Sequence, residues 1–167
     1  MMSASSPMLI GVISDTHGKL DAQAVSLFAG VNRIIHAGDI GSEELIWELE
    51  KIAPVIAVRG NIDSNTMCYP NERMAVIAGR TFYVRHQFAT VEKMNAAQQR
   101  IIEQRMPDVV VFGHSHQAYA GQWRGTLLFN PGSAGPKRFS LPRSVGLIEI
   151  KDEHITPRII ELDGPES

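Results

Sequence analysis

Short apolar runs along this chain repeatedly end on polar residues. "MLIGVIS", residues 8–14, is apolar and β-branched, the pattern of a strand buried on both faces. It runs directly into Asp15-Thr16-His17-Gly18. Leu20, Ala24, Leu27 and Phe28 then share one stripe, which predicts a helix over about residues 19–29, with Gly30 as its stop. "NRIIHAGD" predicts a second strand ending at Asp39. Ser42 stands where it can cap a helix over "SEELIWELEKI", with Glu43 and Glu44 in the first turn, where the helix dipole favours them. "APVIAVRGN" reads as a third strand closing on Gly60-Asn61. This β-α-β-α-β order predicts parallel pairing through right-handed crossovers.

The pattern then changes. "RMAVIAGRTFYVRHQ" predicts a hairpin turning at Ala78-Gly79. "VEKMNAAQQRIIEQ" predicts one helix, with Pro107 beyond its end. "DVVVFGHSH" is another buried strand running into a polar turn, and "GTLLFNPGS", "RSVGLIEI" and "HITPRIIEL" are strand-like. Late hairpins after early βαβ units predict a second, mixed sheet packed on the first.

With 167 residues the chain has the length of one domain, taken as residues 1–167 with 1–7 a loose tail. Hydrophobic residues at 44% and charged residues at 20% are the balance of a soluble globular domain. The net charge of −2 argues against long nucleic acid as a partner but leaves a small phosphorylated ligand open. A single cysteine, Cys68, read as a packed, half-buried residue, makes no internal disulfide; a reducing compartment and a cytoplasmic location follow as expectations. No segment has the apolar length of a membrane span, and the N-terminal residues do not read as a signal peptide.

The chemistry collects at the strand ends. Asp15 and His17 follow the first strand, Asp39 the second and Asn61 the third; His86 ends the second hairpin strand, and His114 and His116 follow "DVVVFG". Parallel strands bring such ends to one edge, where open α/β sheets bind ligands. Each residue alone has an ordinary alternative as a cap, a turn residue or a packed histidine. Their joint placement is what none of those alternatives predicts. Two carboxylates, one amide oxygen and four imidazoles form a mixed N/O donor set without thiolate. Such a set suits Mn, Fe, Zn, Ni or Co better than Mg or Ca. Seven donors exceed one open site and match two metals about 3.5–4 Å apart that share a carboxylate.

"DTHG", "GDI", "GNID", His86 and "GHSH", in this order, resemble the calcineurin-like metallophosphoesterases, and within them the small single-domain phosphodiesterases of bacteria and archaea. Asn130-Pro131-Gly132-Ser133 matches a further loop of the small members. The resemblance implies an α/β fold, a four-layer α/β/β/α sandwich of two mixed sheets flanked by helices. It implies two divalent transition metals, manganese first, with nickel, cobalt, iron or zinc as alternatives. Asp15, His17 and His116 would hold one, Asn61, His86 and His114 the other, with Asp39 bridging. A bridging hydroxide would attack phosphorus in line, and Asp39, Asn61 and His86 would be catalytic.

Two departures stand out. Larger family members carry a leaving-group histidine where this chain has Ile62, which predicts fast turnover only of good leaving groups. Gln87 stands where many relatives have glycine. Asn61 and Arg138 are candidate substrate contacts, while Lys137 and Arg143 are either phosphate contacts or solvated loop cations. Asp63 is expected as a structural turn residue, His36 as a packed strand histidine and His154 as an exposed one. The expected substrate is a small phosphodiester in an open cleft without a cap domain. The alternatives are a phosphomonoesterase or nucleotidase, and a non-catalytic scaffold like a eukaryotic trafficking subunit of this fold, which lacks some of the histidines. A homo-oligomer, a dimer first, is the expected assembly.

Overall fold

A computed structural model describes residues 5–138 and 140–162. Residues 1–4 of the expected tail lie outside the described residues; Ser5 donates from Oγ to Asp152 Oδ1 at 3.2 Å. One sheet contains β1 (Met8–Ile13), β2 (Arg33–His36) and β3 (Val55–Ala57), mutually parallel as predicted. The second contains β4 (Glu72–Ile77), β5 (Arg80–Arg85), β6 (Val109–Val111), β7 (Tyr119–Trp123) and β8 (Thr126–Asn130), with β5, β6 and β8 parallel. The last two strands, β9 (Ser144–Lys151) and β10 (His154–Glu161), return to the first sheet. The strand orders are β10-β9-β1-β2-β3 and β4-β5-β6-β8-β7. Both sheets are therefore mixed: the first is antiparallel from β10 to β1 and parallel from β1 to its β3 edge, and the second has a parallel centre with antiparallel edges. The β9–β10 hairpin belongs to the first sheet rather than the second because β9 pairs antiparallel with β1, setting Ile148 opposite Ile10.

Alternation along the strands sorts the apolar residues into three layers. Ile10, Val12, Ile35, Phe82, Val84, Val109, Val111, Phe129 and Ile148 meet between the sheets. Their neighbours face outward. Ile13, Ile34 and Val145 pack with the helical side chains Ala24, Leu45 and Leu49. Tyr83, Val110 and Leu128 pack with Met94 and Ile102. The helices are α1 (Ala22–Leu27), α2 (Glu43–Glu50) and α3 (Ala96–Arg105). This is the α/β/β/α arrangement, with α1 and α2 on one side and α3 on the other.

Several local expectations shift. The first helix spans six residues, because Asp21 is its N-cap and accepts from Gln23 N at 2.7 Å. Ser42 occupies the N-cap of α2, but its hydroxyl makes no capping bond. The single helix expected over residues 91–104 is broken. Val91–Lys93 forms one 3₁₀ turn, and Asn95 restarts the chain with a capping box against Gln98. Strand β7 was not predicted, since its Tyr119, Gly121 and Trp123 are separated by residues with no clear polar alternation. Cys68 is exposed, not half-buried, because it lies in an irregular segment between β3 and β4 that contributes no face to the core.

Candidate metal centre

The parallel strands of both sheets deliver their carboxyl ends to one place. Asp15 and His17 follow β1, Asp39 follows β2 and Asn61 follows β3; His86 follows β5, and His114 and His116 follow β6. The loops are tied across. Asp15 N donates to Gly38 O at 3.0 Å, His17 N to Asp39 O at 3.0 Å, and Gly113 N to His86 O at 3.0 Å.

The donor atoms converge. Asp15 Oδ1 lies 3.3 Å from His116 Nε2 and 3.7 Å from His86 Nε2. Asp39 Oδ2 lies 3.3 Å from His86 Nε2 and 3.9 Å from His17 Nε2. His114 Nδ1 donates to Asn61 Oδ1 at 3.0 Å. Two three-residue groups, Asp15–His17–His116 and Asp15–Asp39–His86, each bring one donor atom per residue within 4.8 Å of the others. Asp15, Asp39, His86 and His116 are buried, His17 is partly so, and Asn61 and His114 are exposed. Five of the seven expected donors therefore fall in these groups, and the exposed pair Asn61 and His114 stands beside them, with the His114 ring 5.2 Å from that of His86.

The backbone at this cluster is unusual. Asp15, His17, Asp39, His114 and His116 all have positive φ, between +50° and +71°. L residues avoid this region at a cost on the order of 1–2 kcal/mol each. Five of the nine non-glycine residues with positive φ among the described residues thus cluster around one cleft. The packing there is also close. A Cβ at Gly60 would fall 2.1 Å from Asp39 Oδ1, and one at Gly113 would fall 2.1 Å from Ser14 Oγ and 2.7 Å from Asp15 Oδ2. Only a bare backbone fits against these carboxylates.

Neighbouring groups hold the donors in place. Asp15 Oδ2 accepts from Ser14 Oγ at 2.7 Å and from His114 N at 3.1 Å, leaving Oδ1 toward the histidines. Asp39 Oδ1 accepts from Ile62 N at 3.1 Å. His86 Nδ1 donates to Ala37 O at 2.8 Å, which turns Nε2 to the carboxylates. Asp63 accepts from Ile40 N, Gly41 N and Gly60 N, the structural turn role expected of it. Asn130 donates to Gly113 O at 3.1 Å and Ser115 Oγ at 3.2 Å, so the Asn-Pro-Gly-Ser loop braces the histidine loop.

His36 is fully buried, as expected. It accepts from Gly38 N at Nδ1, and its Nε2–H donates to Thr16 Oγ1 at 2.9 Å. That link between residues twenty apart is invisible to any local pattern, so Thr16 and His36 were missed as supports of the site. Burial pushes His36 down to about 4 against the pull of Asp15 and Asp63, which keeps it neutral.

Burial alone would raise the Asp15 carboxyl. The facing His116 ring, the His86 charge and the Ser14 hydroxyl outweigh it and hold Asp15 below the ordinary carboxylate range. Asp39 is likewise held down against burial by His86 and the Ile62 N–H. Burial pulls His86 down, and the Asp39 and Asp15 carboxylates more than reverse it. Two buried carboxylates thus depend on cationic company.

Among the described residues, five buried side-chain polar atoms lack a hydrogen-bond partner. Four of them are Asp15 Oδ1, His17 Nε2, His86 Nε2 and His116 Nδ1. Buried donors and acceptors without partners are rare in folded proteins. Converging carboxylate oxygens and imidazole nitrogens with free valence fit a divalent transition metal.

Arg138 lines a cavity of about 200 Å³ beside His114, Ser115 and His116. Arg143 is neither a phosphate contact nor a solvated cation. It is buried and tied to Gly135 O at 2.7 Å, Ala134 O at 3.0 Å and Asp21 Oδ2 at 2.6 Å, pinning the loop after β8 to the cap of α1. Lys137 and His154 are exposed.

This constellation is the signature of a metal-dependent hydrolase of phosphate esters. Residues 8–153 match the calcineurin-like phosphoesterase superfamily domain, and the chain belongs to that family. It is a metal-dependent phosphoric ester hydrolase. A protein of Methanothermobacter thermautotrophicus described as a probable metallophosphoesterase is 34% identical over 166 residues, 95% of each chain. A solved archaeal phosphodiesterase superposes with a TM-score of 0.76 at 25% identity, over 93% of this chain and all of that one. Vacuolar protein sorting 29 of Cryptosporidium parvum superposes with a TM-score of 0.74 at 20% identity, over 93% of this chain and 98% of that one, a likeness of fold.

Proposed function

We propose that the chain is a single-domain phosphodiesterase with a dinuclear transition-metal centre, acting on a small phosphodiester in the cytoplasm. The observation that carries this reading is the position of Asp39, whose Oδ2 lies 3.9 Å from His17 Nε2 and 3.3 Å from His86 Nε2, between histidines assigned to different metals. Asp15, His17 and His116 would hold one metal, Asn61, His86 and His114 the other, and Asp39 would bridge. Manganese is the metal we assign first. When bound, the metals supply Lewis acidity at the phosphoryl oxygens and make water nucleophilic at neutral pH.

The chain's own residues do the remainder. The Ala37 carbonyl and the Ser14 hydroxyl orient His86 and Asp15. Asn61, exposed at the mouth, offers an amide to a phosphoryl oxygen, and Arg138 offers a guanidinium from the cavity beside His114. Ile62 brings no proton to the leaving group, and its half-exposed side chain gives the mouth an apolar wall.

The test is hydrolysis of bis(p-nitrophenyl) phosphate by metal-stripped protein with Mn²⁺, Ni²⁺, Co²⁺, Zn²⁺ or Mg²⁺ returned, beside Asp39→Asn and with the mono-ester in parallel. Restoration by a transition metal, loss in Asp39→Asn and faster turnover of the diester support the reading. A faster mono-ester makes the protein a phosphomonoesterase. Folded protein without activity under any metal makes it a scaffold.

A further inference from the structure

The fifth buried atom without a hydrogen-bond partner is Nε of Arg59, and it lies outside the donor cluster. The rest of that guanidinium is barely engaged, with Nη1 3.4 Å from Asn65 Oδ1. Arg59 stands two residues before Asn61 and two beyond the end of β3. Arg85 is the last residue of β5 and directly precedes His86. The two arginines come from different sheets and line the same cavity, about 220 Å³, together with Asn61, Asn71, His86 and Gln87. The carboxylate nearest Arg85 is Glu72, at 3.8 Å, and Glu72 is engaged more closely by Arg105 at 3.0 Å and by the Tyr83 hydroxyl. The hollow thus presents one guanidinium with an unpartnered Nε, a second held only at its edge by Glu72 and the Tyr83 hydroxyl, and three carboxamides, with no carboxylate among its lining residues, a donor set suited to an anion. It opens on Asn61 and His86, two of the proposed metal donors.

We infer that this cavity holds a second, non-scissile phosphoryl group of the substrate, so that the enzyme selects phosphodiesters carrying an additional phosphate. The inference rests on the phosphodiesterase reading above. The centre would take the scissile phosphate, and Arg59 and Arg85 would grip its neighbour as a fork. The hollow has room for a phosphate. Gln87, where many relatives carry glycine, contributes its amide to the same wall.

A matched substrate pair tests this. Thymidine 5′-(p-nitrophenyl phosphate) and its 3′-phosphorylated form share one scissile ester and differ by one phosphate. With Mn²⁺ restored, the 3′-phosphorylated ester is expected to have a kcat/KM at least tenfold higher, mainly through KM. In the Arg59→Gln/Arg85→Gln double variant that ratio falls toward one. Asn71→Asp, an exposed substitution that sets a carboxylate in the hollow, is expected to bring it below one. A ratio near one in the parent, or the same ratio in all three proteins, overturns the inference.

Calorimetric titration of metal-stripped protein with pyrophosphate gives a readout free of turnover. Binding weakened at least tenfold in the double variant supports the anion site, and equal binding overturns it. If neither ester releases p-nitrophenolate under any metal, the phosphodiesterase reading fails, and the pyrophosphate titration judges the anion site separately.

Discussion

His86 presents Nε2 to Asp39 Oδ2 at 3.3 Å while its other ring nitrogen is fixed on the Ala37 carbonyl at 2.8 Å. The second contact sets both the tautomer and the ring orientation, so the first is an aimed donor and not a chance approach. The group Asp15–His17–His116 does not include this ring. His86→Ala is therefore expected to reduce bound manganese from two ions to one per chain, measured by elemental analysis after dialysis. Turnover of bis(p-nitrophenyl) phosphate should fall by about 100-fold or more, the scale at which loss of one preorganised electrostatic group is felt. Two ions retained in His86→Ala would refute the division of donors.

The leaving-group side makes a separate prediction. Ile62 is 51% exposed at the mouth and has no proton to give. Esters of p-nitrophenol should turn over far faster than alkyl esters, whose alkoxides need protonation. General acid help is typically worth about 10²–10⁴-fold. Ile62→His is expected to raise alkyl diester turnover by roughly tenfold or more and to leave the nitrophenyl ester nearly unmoved, because its leaving group needs no acid. If Ile62→Ala and Ile62→His both match the parent on the alkyl ester, protonation is not limiting.

His36 sets a pH dependence of stability. Unfolded, it takes up a proton as pH falls through its ordinary 6.5; folded, burial holds it off until about 4. Between those values the unfolded chain binds more protons, so stability declines as pH falls and levels off below about 4. A difference of that size corresponds to roughly 3 kcal/mol. Urea unfolding of metal-stripped protein at pH 7 and pH 5 should show the decline, and His36→Gln should be less stable at pH 7 but flatter. Asp15, Asp39, Asp63 and His86 face the same region, so the comparison between parent and variant isolates His36.

Ala78 and Gly79 form the two-residue turn between β4 and β5, with φ of +51° and +77°. Both positions of such a turn favour asparagine or glycine, and alanine there is strained. Ala78→Asn is expected to stabilise the protein by about 1 kcal/mol, seen as a higher urea midpoint. Metal content and turnover should be unaffected, because the turn lies at the opposite end of β5 from His86. An unchanged or lower midpoint would show that the turn carries no such strain.

The strands and the gathering of the candidate donors were legible because both obey local rules. Buried strands betray themselves as apolar runs, and the donors fall where those runs stop. Asp63, His36 and His154 were also read correctly, since their environments follow from a turn, a strand and a polar end. The breaks came where tertiary geometry decides. Arg143 looked like a loop cation because nothing local announces that Asp21, 122 positions earlier, lies beside it. The long third helix looked continuous because its periodicity survives the Asn95 cap. The left-handed backbone of five donors was not read, since aspartate and histidine tolerate that conformation better than most side chains but adopt it only occasionally, so their presence does not announce it.

The donors are divided between the sheets. Asp15, His17, Asp39 and Asn61 stand on loops of the first, and His86, His114 and His116 on loops of the second. Away from this rim the contact between the sheets is chiefly the apolar layer around Ile10, Val12, Phe82 and Phe129, a contact without direction, with scattered polar ties such as Arg80 Nη2 donating to Glu153 O at 2.7 Å. At this one rim an ion held as proposed would lace them together by coordination and act as a clasp. The two halves of the molecule should part from that rim first when the clasp is undone. On that reading the ion proposed to do the chemistry would also set the mechanical order in which the fold opens.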